Sequence, residues 1–317
     1  MIPTFLLLFC RGRGLTACMK QDPQRYKALL ATIVCHVIWG FSFMFSRVAL
    51  DRVPVFQLLS HRFILAFLAM NLVLFTGRFR LELKKKGIRL LLLLGLMEPV
   101  VYFIGEQYGI LHSSTIFSGV MIATIPIAAT LAAWPFIHER PTAGQLLFSL
   151  VSVSGVIGIG LLSSSTGTLD WIGLAALLIS VASATAYSLI TRSISGRYTP
   201  FERTYVMMGI AAAVFTPLGL VQTQGRLSAY LAPLSDLSYL GAVFFLGILA
   251  SVVCFFLSGY ALTYLTVARE SVFSNLTTAV SVFAGAVFLR EPFSWLSLLF
   301  CFLILFGIWG VQRTSKQ

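Results

Sequence analysis

Long apolar runs alternate with short polar connectors along nearly the whole chain. The hydrocarbon core of a bilayer takes about 20 residues in helical form, and most of the runs have that length. Turn and breaker residues, such as those at 51–54, separate them. The pattern predicts an all-α integral membrane fold with ten transmembrane helices. The expected spans are roughly 28–47, 56–76, 88–110, 115–137, 144–163, 170–193, 203–222, 238–262, 269–289 and 294–312.

Composition supports a lipid environment. Of the 317 residues, 58% are hydrophobic and 11% are charged, and the mean hydropathy is +0.90. Soluble domains carry about 25% charged residues, so a soluble fold could not bury this much apolar surface. The net charge is +12, but the basic residues lie in separate connectors and form no single patch. We therefore expect a lipid bilayer as partner and no nucleic acid.

The distribution of Lys and Arg predicts the orientation of the chain. Basic residues concentrate in alternate connectors and at both termini, and the largest group lies within 78–89. The other connectors hold only Arg52, Arg226 and Arg290. Because cytoplasmic loops carry the excess of Lys and Arg, we expect a multi-pass protein of the cell (plasma or inner) membrane with cytoplasmic N- and C-termini.

An internal repeat relates the two halves of the chain. A shift of 152 residues aligns the third to fifth spans with the eighth to tenth without a gap. The matched pairs include Gly95 with Gly247, Phe103 with Phe255, Tyr108 with Tyr260, Glu139 with Glu291, and Gly155 with Gly307. Because each half has five spans, an odd number, the second half is expected to enter the membrane inverted. Inverted repeats are a recurrent transporter architecture, with the substrate site between the halves.

The repeat also divides the chain. The predicted segments are a cytoplasmic N-terminal extension (1–27), a first repeat with helices 1–5 (28–163), a second repeat with helices 6–10 (170–312) and a cytoplasmic tail (313–317).

Several short motifs occur in order along these spans. They are Trp39-Gly40 with Phe43 and Arg47 in the first span, His61-Arg62-Phe63 in the second, Pro126 followed by Glu139-Arg140, and Leu289-Arg290-Glu291 in the second half. With these motifs in this order, the chain resembles the EamA-type ten-helix branch of the drug/metabolite transporter superfamily over about residues 28–312. The resemblance implies a transporter without naming its substrate. One departure is Thr278, the repeat partner of Pro126, where the family often has proline.

The third span carries carboxylates inside the membrane. At 100° per residue, one face within an arc of about 100° combines acidic, phenolic and small residues. These residues are Glu98, Tyr102, Gly105, Glu106 and Gly109. Ionisable groups in a membrane are costly and often functional, so we predict that Glu98 and Glu106 form a cation or proton site. The alternatives are that Glu106 reaches water at the outer end of its helix and that Glu98 is a neutral, hydrogen-bonded structural residue.

Other spans supply candidate walls for a substrate cavity. Trp39 and Phe43 share a face of the first span with His36, and an aromatic face can stack on apolar substrates. The expected substrate-binding set is Trp39, Phe43, Glu98, Tyr102, Glu106, Tyr187, Tyr260 and Asn275. Core packing is the alternative for the aromatic residues, and helix packing is the alternative for the Ser, Thr and Gly residues around Asn275.

The remaining charged residues are expected at helix ends. Arg47 and Arg62 could pair with carboxylates, bind lipid headgroups or screen anionic substrates. Glu139 and Glu291 are expected to cap the helix that follows each of them. A phosphate site would need two or more central basic residues, and none is expected in the middle of the membrane.

These features favour a secondary transporter, an exporter of a small organic metabolite or drug-like molecule that works by alternating access. Proton coupling is one interpretation of the carboxylates, and the mixed lining weakly favours amino acids or aromatic metabolites. The alternative is a channel or facilitator without ion coupling. The sequence has no phosphate-binding loop, no polar catalytic set and no metal-ligand spacing among its five cysteines and four histidines. We thus expect no enzyme activity, cofactor or metal, and a monomer or homodimer.

Overall fold

The computed structural model describes residues 23–83, 88–125, 127–128, 131–132, 142–165, 170–194, 196–265, 273–291 and 294–314. The described ranges are helical and contain no strand. The main helices are α1 (Pro23–Leu50), α2 (Val55–Phe75), α3 (Arg89–Leu111), α4 (Thr115–Ile122), α5 (Ala143–Ser165), α6 (Trp171–Ile194), α7 (Pro200–Gln222), α8 (Leu237–Tyr264), α9 (Ser274–Val287) and α10 (Trp295–Arg313). A short helix (Leu227–Leu231) and a 3₁₀ turn (Ala232–Ser235) lie between α7 and α8.

The helices are those of a membrane protein. Among the described residues, six helices are long and apolar enough to cross a bilayer, namely α1, α2, α3, α6, α7 and α8. The apolar stretches described in α5, α9 and α10 are shorter. Large apolar side chains such as Leu72, Leu150 and Trp295 are exposed, as on a surface that meets lipid. The chain is therefore a multi-pass helical membrane protein, and the count of ten crossings stays a prediction.

The two halves of the chain interleave. The main helix contacts join α2 to α7, α5 to α10, α4 to α9, α3 to α6, and α1 to both α8 and α9. Each of these pairs takes one helix from each half. The pairs α3–α6 and α8–α1 are equivalent under exchange of the halves, so the packing follows the repeat seen in the sequence.

The contact between α5 and α10 is symmetric under exchange of the two halves. Gly155 of α5 lies against the carbonyl of Phe300 in α10, and Gly307 of α10 lies against the carbonyl of Phe148 in α5. A shift of 152 residues converts each contact into the other. The two helices run antiparallel, which is the arrangement that inverted repeats predict for this pair.

Small residues allow this close packing. Lipid tails are as apolar as the helix surfaces, so helices in a membrane associate by close van der Waals contact, and small residues let their backbones approach. A Cβ atom added to Gly307 would lie 2.6 Å from the backbone nitrogen of Ser152 and 2.7 Å from the carbonyl oxygen of Phe148. Backbone atoms cannot move aside as a flexible side chain can.

Two helices contain a π-helical segment at equivalent positions. In α3 the segment spans Leu96–Val101, and in α8 it spans Phe245–Val253. Shifted by 152 residues, the first segment covers 248–253, the end of the second. Pro99 supplies no backbone donor to the ladder of α3, and the backbone of Glu98 leaves the helical range (φ −134°, ψ 114°). Such segments often occur at functional sites, and these two lie where the halves meet.

The Gly307→Ala variant tests the packing of α5 against α10. We expect it to lower the stability by about 1–3 kcal/mol, because the new methyl group meets backbone atoms. The matched control is Gly241→Ala in α8, where an added Cβ meets nothing within 4 Å. Thermal unfolding of the purified protein in detergent measures both. Equal melting temperatures for the two variants would contradict this packing.

Cysteine labelling tests the orientation. In a background without native cysteines, Ser228→Cys in the short helix after α7 should react with a membrane-impermeant maleimide on intact cells. Ser193→Cys, exposed near the end of α6, should react only after the cells are permeabilised. The reverse pattern would place the termini on the outside.

Candidate functional site

A buried arginine lies where α2, α3 and α8 meet. Arg62 is 1% exposed and is among the largest fully buried side chains of the protein. Its Nε donates to Ser251 Oγ of the α8 π segment at 3.0 Å, and its Cζ lies 4.0 Å from the ring centroid of Phe103. Arg62 is seven residues into α2, about 10 Å from the helix start. Arg62, expected near the outer end of its helix, is therefore a buried side chain about a third of the way along α2.

Glu106 is buried one helical turn from Tyr102. The Tyr102 hydroxyl donates to Glu106 Oε1 and the Gln107 amide donates to Oε2, both at 2.9 Å. The same amide contacts Ser46 Oγ of α1 at 3.3 Å. Glu106 is 4% exposed, so its carboxylate does not reach water at the outer end of the helix. These bonds hold it inside the protein.

Glu98 lies in the π segment of α3 and is also buried. Next to it, Ser183 of α6 donates to the carbonyl of Met97 at 2.6 Å, which holds the segment against α6. Glu98 and Glu106 both act electrostatically on the Arg62 guanidinium, and the effect of Glu106 is the larger. The carboxylates and the arginine thus share one electrostatic environment.

The guanidinium nevertheless keeps an unused donor. In the described part of the chain, Arg62 Nη1 is buried without a hydrogen-bond partner. No ion pair within 4.0 Å joins Arg62 to Glu106 among the described residues, although the two charges act on each other. The site therefore contains a positive and a negative group that are neighbours without direct contact.

Aromatic rings connect this cluster to the other half. Phe103 and Phe255, which are repeat equivalents, lie with their ring centroids 6.5 Å apart. Phe255 also contacts Trp39 at 5.7 Å and Tyr187 at 6.3 Å, and Phe103 contacts Tyr102 at 4.9 Å. Residues beside a pseudo-two-fold axis contact their own equivalents. The contact between Phe103 and Phe255 has this property.

Five residues of the predicted set are thereby brought near one another. They are Trp39, Glu98, Tyr102, Glu106 and Tyr187. Phe43 is buried in the same hydrophobic core.

Of the other two predicted residues, Tyr260 does not join the cluster. Tyr260, toward the end of α8, donates to Gln24 Oε1 at 2.7 Å and lies beside Tyr264. The side chain of Asn275 is outside the described part of the structure.

Comparison with known proteins identifies the family. The EamA-like transporter family matches the chain twice, over residues 26–161 and 171–313. The chain belongs to the EamA-like transporter family. The two matches coincide with the two halves, and they confirm the resemblance inferred from the motifs.

The relatives of this EamA-like protein are named as transporters. One is the uncharacterized transporter YcxC of Bacillus subtilis, 31% identical over 93% of this chain and 96% of that protein. Another is a probable terminal-alkyne amino-acid exporter of Streptantibioticus cattleyicolor, 27% identical over 91% of this chain and 94% of that protein. A solved crystal structure matches with a TM-score of 0.63, covering 91% of this chain and 99% of the other at 17% identity. That structure supports the fold alone.

Glu291 of this EamA-like transporter caps a helix, but not the helix that follows it. Its Oε1 accepts from the Thr115 backbone N–H at 2.7 Å, and its Oε2 accepts from that of Ile116 at 2.9 Å. It therefore caps α4 of the other half, and Ser294 caps α10 instead. The prediction of a cap was right in kind and wrong in its helix, because sequence neighbours are not the spatial neighbours in interleaved halves. Glu139 lies outside the described residues.

An apolar groove of about 500 Å³ opens between α3 and α6. Its lining includes Val101, Ile104 and Trp171, and the Trp171 side chain is 84% exposed. The lining contains neither Arg62 nor the carboxylates, so this groove is separate from the polar site.

Asp170 joins the C-terminal end of α3 to the N-terminal end of α6. His112 Nδ1 lies 2.8 Å from Asp170 Oδ2, and the Gly173 N–H donates to Oδ1 at 2.8 Å. The hydrogen bond from Gly173, followed by the one from His112, lowers the pKa of the Asp170 carboxyl, which lies outside the membrane-spanning segments.

This junction predicts a pH dependence. Because its folded-state pKa is depressed, Asp170 stabilises the protein above the unfolded pKa of about 3.9. That contribution is lost as the pH falls through the lower folded-state value. We expect Asp170→Asn, which keeps an acceptor for Gly173, to flatten the fall in melting temperature on acidification below about pH 5. An unchanged dependence on pH would contradict the role of this charge.

Proposed function

We propose that this protein is a secondary transporter that exports a small organic metabolite by alternating access. The observation that carries the proposal is the buried polar cluster around Arg62 and Glu106 where the two inverted halves meet. A site at such a contact can open to one side of the membrane and then to the other when one half rocks against the other. The transporter family and the transporter names of the relatives agree with this function.

The carboxylates suggest the energy source. Burial in a low-dielectric site and nearby charges govern whether a carboxylate holds a proton. Glu98 and Glu106, together with Tyr102 and Cys254, act electrostatically on the Arg62 guanidinium. We propose that one carboxylate binds a proton in one conformation and releases it in the other, which couples transport to the proton gradient.

Amino acids or aromatic metabolites are the favoured substrates. The site combines carboxylates with the aromatic rings of Trp39, Tyr187 and Phe255, so it could hold an ammonium group and an apolar side chain together. One relative, 27% identical, is named a probable amino-acid exporter, and export is the direction we propose here.

The Glu98→Gln and Glu106→Gln variants test proton coupling. In proteoliposomes, the wild-type protein should accumulate at least one of the twenty proteinogenic amino acids when a pH gradient is imposed. We expect at least one of the two variants to lose gradient-driven accumulation, because glutamine has nearly the same shape as glutamate and cannot carry the proton. Radiolabelled uptake with and without the gradient measures this.

The control for these variants is Asp51→Asn, which removes an exposed carboxylate outside α1. It should keep the wild-type rate, and all three variants should keep the wild-type melting temperature within a few degrees. Wild-type accumulation by both glutamine variants would rule out coupling through these residues. Flux that only dissipates a gradient would favour a facilitator.

A further inference from the structure

The unused donor of Arg62 needs an acceptor. We propose that Arg62 binds the carboxylate of the transported molecule and makes the site selective for carboxylate-bearing, amino-acid-like compounds. This inference rests on the transport function proposed above, and it names the substrate class of the same site.

The surrounding residues fix the guanidinium before any ligand arrives. Phe103 lies against its face with the Cζ atom 4.0 Å from the ring centroid, and Ser251 accepts from Nε at 3.0 Å. Phe63 lies on another side, with its centroid 5.3 Å from the same carbon. A planar guanidinium held in this way is preorganised to bind an oxyanion in the plane of its N–H groups.

The protein's own carboxylate does not fill the acceptor position. Both oxygens of Glu106 already accept hydrogen bonds, one from Tyr102 and one from Gln107. A buried N–H without a partner costs free energy and calls for an explanation. Among the described residues Arg62 Nη1 is such a group, and a ligand oxygen would satisfy it.

The charges around Arg62 define the rest of the ligand. Each oxygen of Glu106 can accept a further hydrogen bond, so the acidic side of the site suits an ammonium group. A molecule with carboxylate and ammonium groups would bridge Arg62 and the acidic side, which are neighbours without touching. A guanidinium also matches a carboxylate in charge and in the geometry of its paired donors.

Matched ligand pairs test the selectivity. Purified full-length protein in detergent is heated with each of the twenty proteinogenic amino acids and, in parallel, with its carboxamide. A ligand that binds the folded state raises the melting temperature. We expect at least one amino acid to raise it and its carboxamide to do so with at least tenfold weaker apparent affinity. Equal effects of acid and amide, or no effect of any acid, would overturn the proposal.

Variants at position 62 separate binding from mere charge balance. We expect Arg62→Gln to weaken binding of the preferred acid by about 10- to 100-fold, the range for losing hydrogen bonds to a charged group. Arg62→Lys should weaken binding less, because lysine keeps the positive charge, although it loses the paired N–H donors of the guanidinium. The control Arg226→Gln, at an exposed arginine, should bind as the wild type does.

The double variant Arg62→Gln/Glu106→Gln decides between the two roles. If Arg62 only balanced the charge of Glu106, removing both charges would restore the preference for acid over carboxamide, and that result would overturn the proposal. If Arg62 binds the ligand, the preference stays lost. If Arg62→Gln alone does not fold, the double variant still allows the test, because the double variant buries no unbalanced charge from this pair.

Transport distinguishes failure of this inference from failure of the proposed function. Gradient-driven accumulation of an acid and its carboxamide at equal rates would reject the role of Arg62 and leave the transporter intact. If no compound accumulates against a gradient, the function itself fails.

Discussion

The buried guanidinium of Arg62, which lipid cannot solvate, constrains how the helices pack at the centre of this protein. A guanidinium in a membrane must find its hydrogen bonds and counter-charges within the protein, because hydrocarbon offers neither. Arg62 meets part of this requirement through elements of both halves, while its Nη1 has no hydrogen-bond partner among the described residues. Ser251 comes from α8 in the second half, while Phe103 and Glu106 come from α3 in the first. The position of one side chain thus ties the π segment of α8 to the packing of α2 and α3.

The frame around that group is built from contacts between equivalent helices. Glycines such as Gly155 and Gly307 let α5 and α10 approach to backbone contact, and the same exchange of halves relates α3–α6 to α8–α1. At the centre, Phe103 meets its own equivalent Phe255. A symmetric frame of this kind can adopt two related packings of similar energy, which alternating access requires.

The sequence predicted the helices and the repeat because both depend on local pattern. Apolar run length follows from bilayer thickness, and the 152-residue register follows from matched Gly, Tyr and Glu residues. The shared face of Glu98, Tyr102 and Glu106 follows from helical period alone, and all three side chains are buried.

Tertiary contacts could not be read in the same way. Arg62 looked like a residue of the helix end because hydropathy does not record which neighbours surround a side chain. Glu291 caps α4 and not α10, since the interleaving of the halves is absent from the linear order. The sequence did contain a signal that Arg62 is buried, because this charged residue lies well inside an apolar run.

The chemistry placed on this symmetric frame is asymmetric. At the positions of α8 equivalent to Glu98, Tyr102 and Glu106, the second half has alanine, cysteine and serine. The first half therefore supplies the charged wall of α3, and α8 supplies small side chains, with Ser251 to hold the arginine. Ala250, the counterpart of Glu98, accepts a hydrogen bond from the Trp39 indole through its carbonyl at 3.0 Å. Duplication thus provides equivalent helices in the two halves, while divergence of α3 and α8 leaves carboxylates on α3 alone. One set of charges between two exchanging halves is what a transporter needs if the same site is to face each side of the membrane in turn.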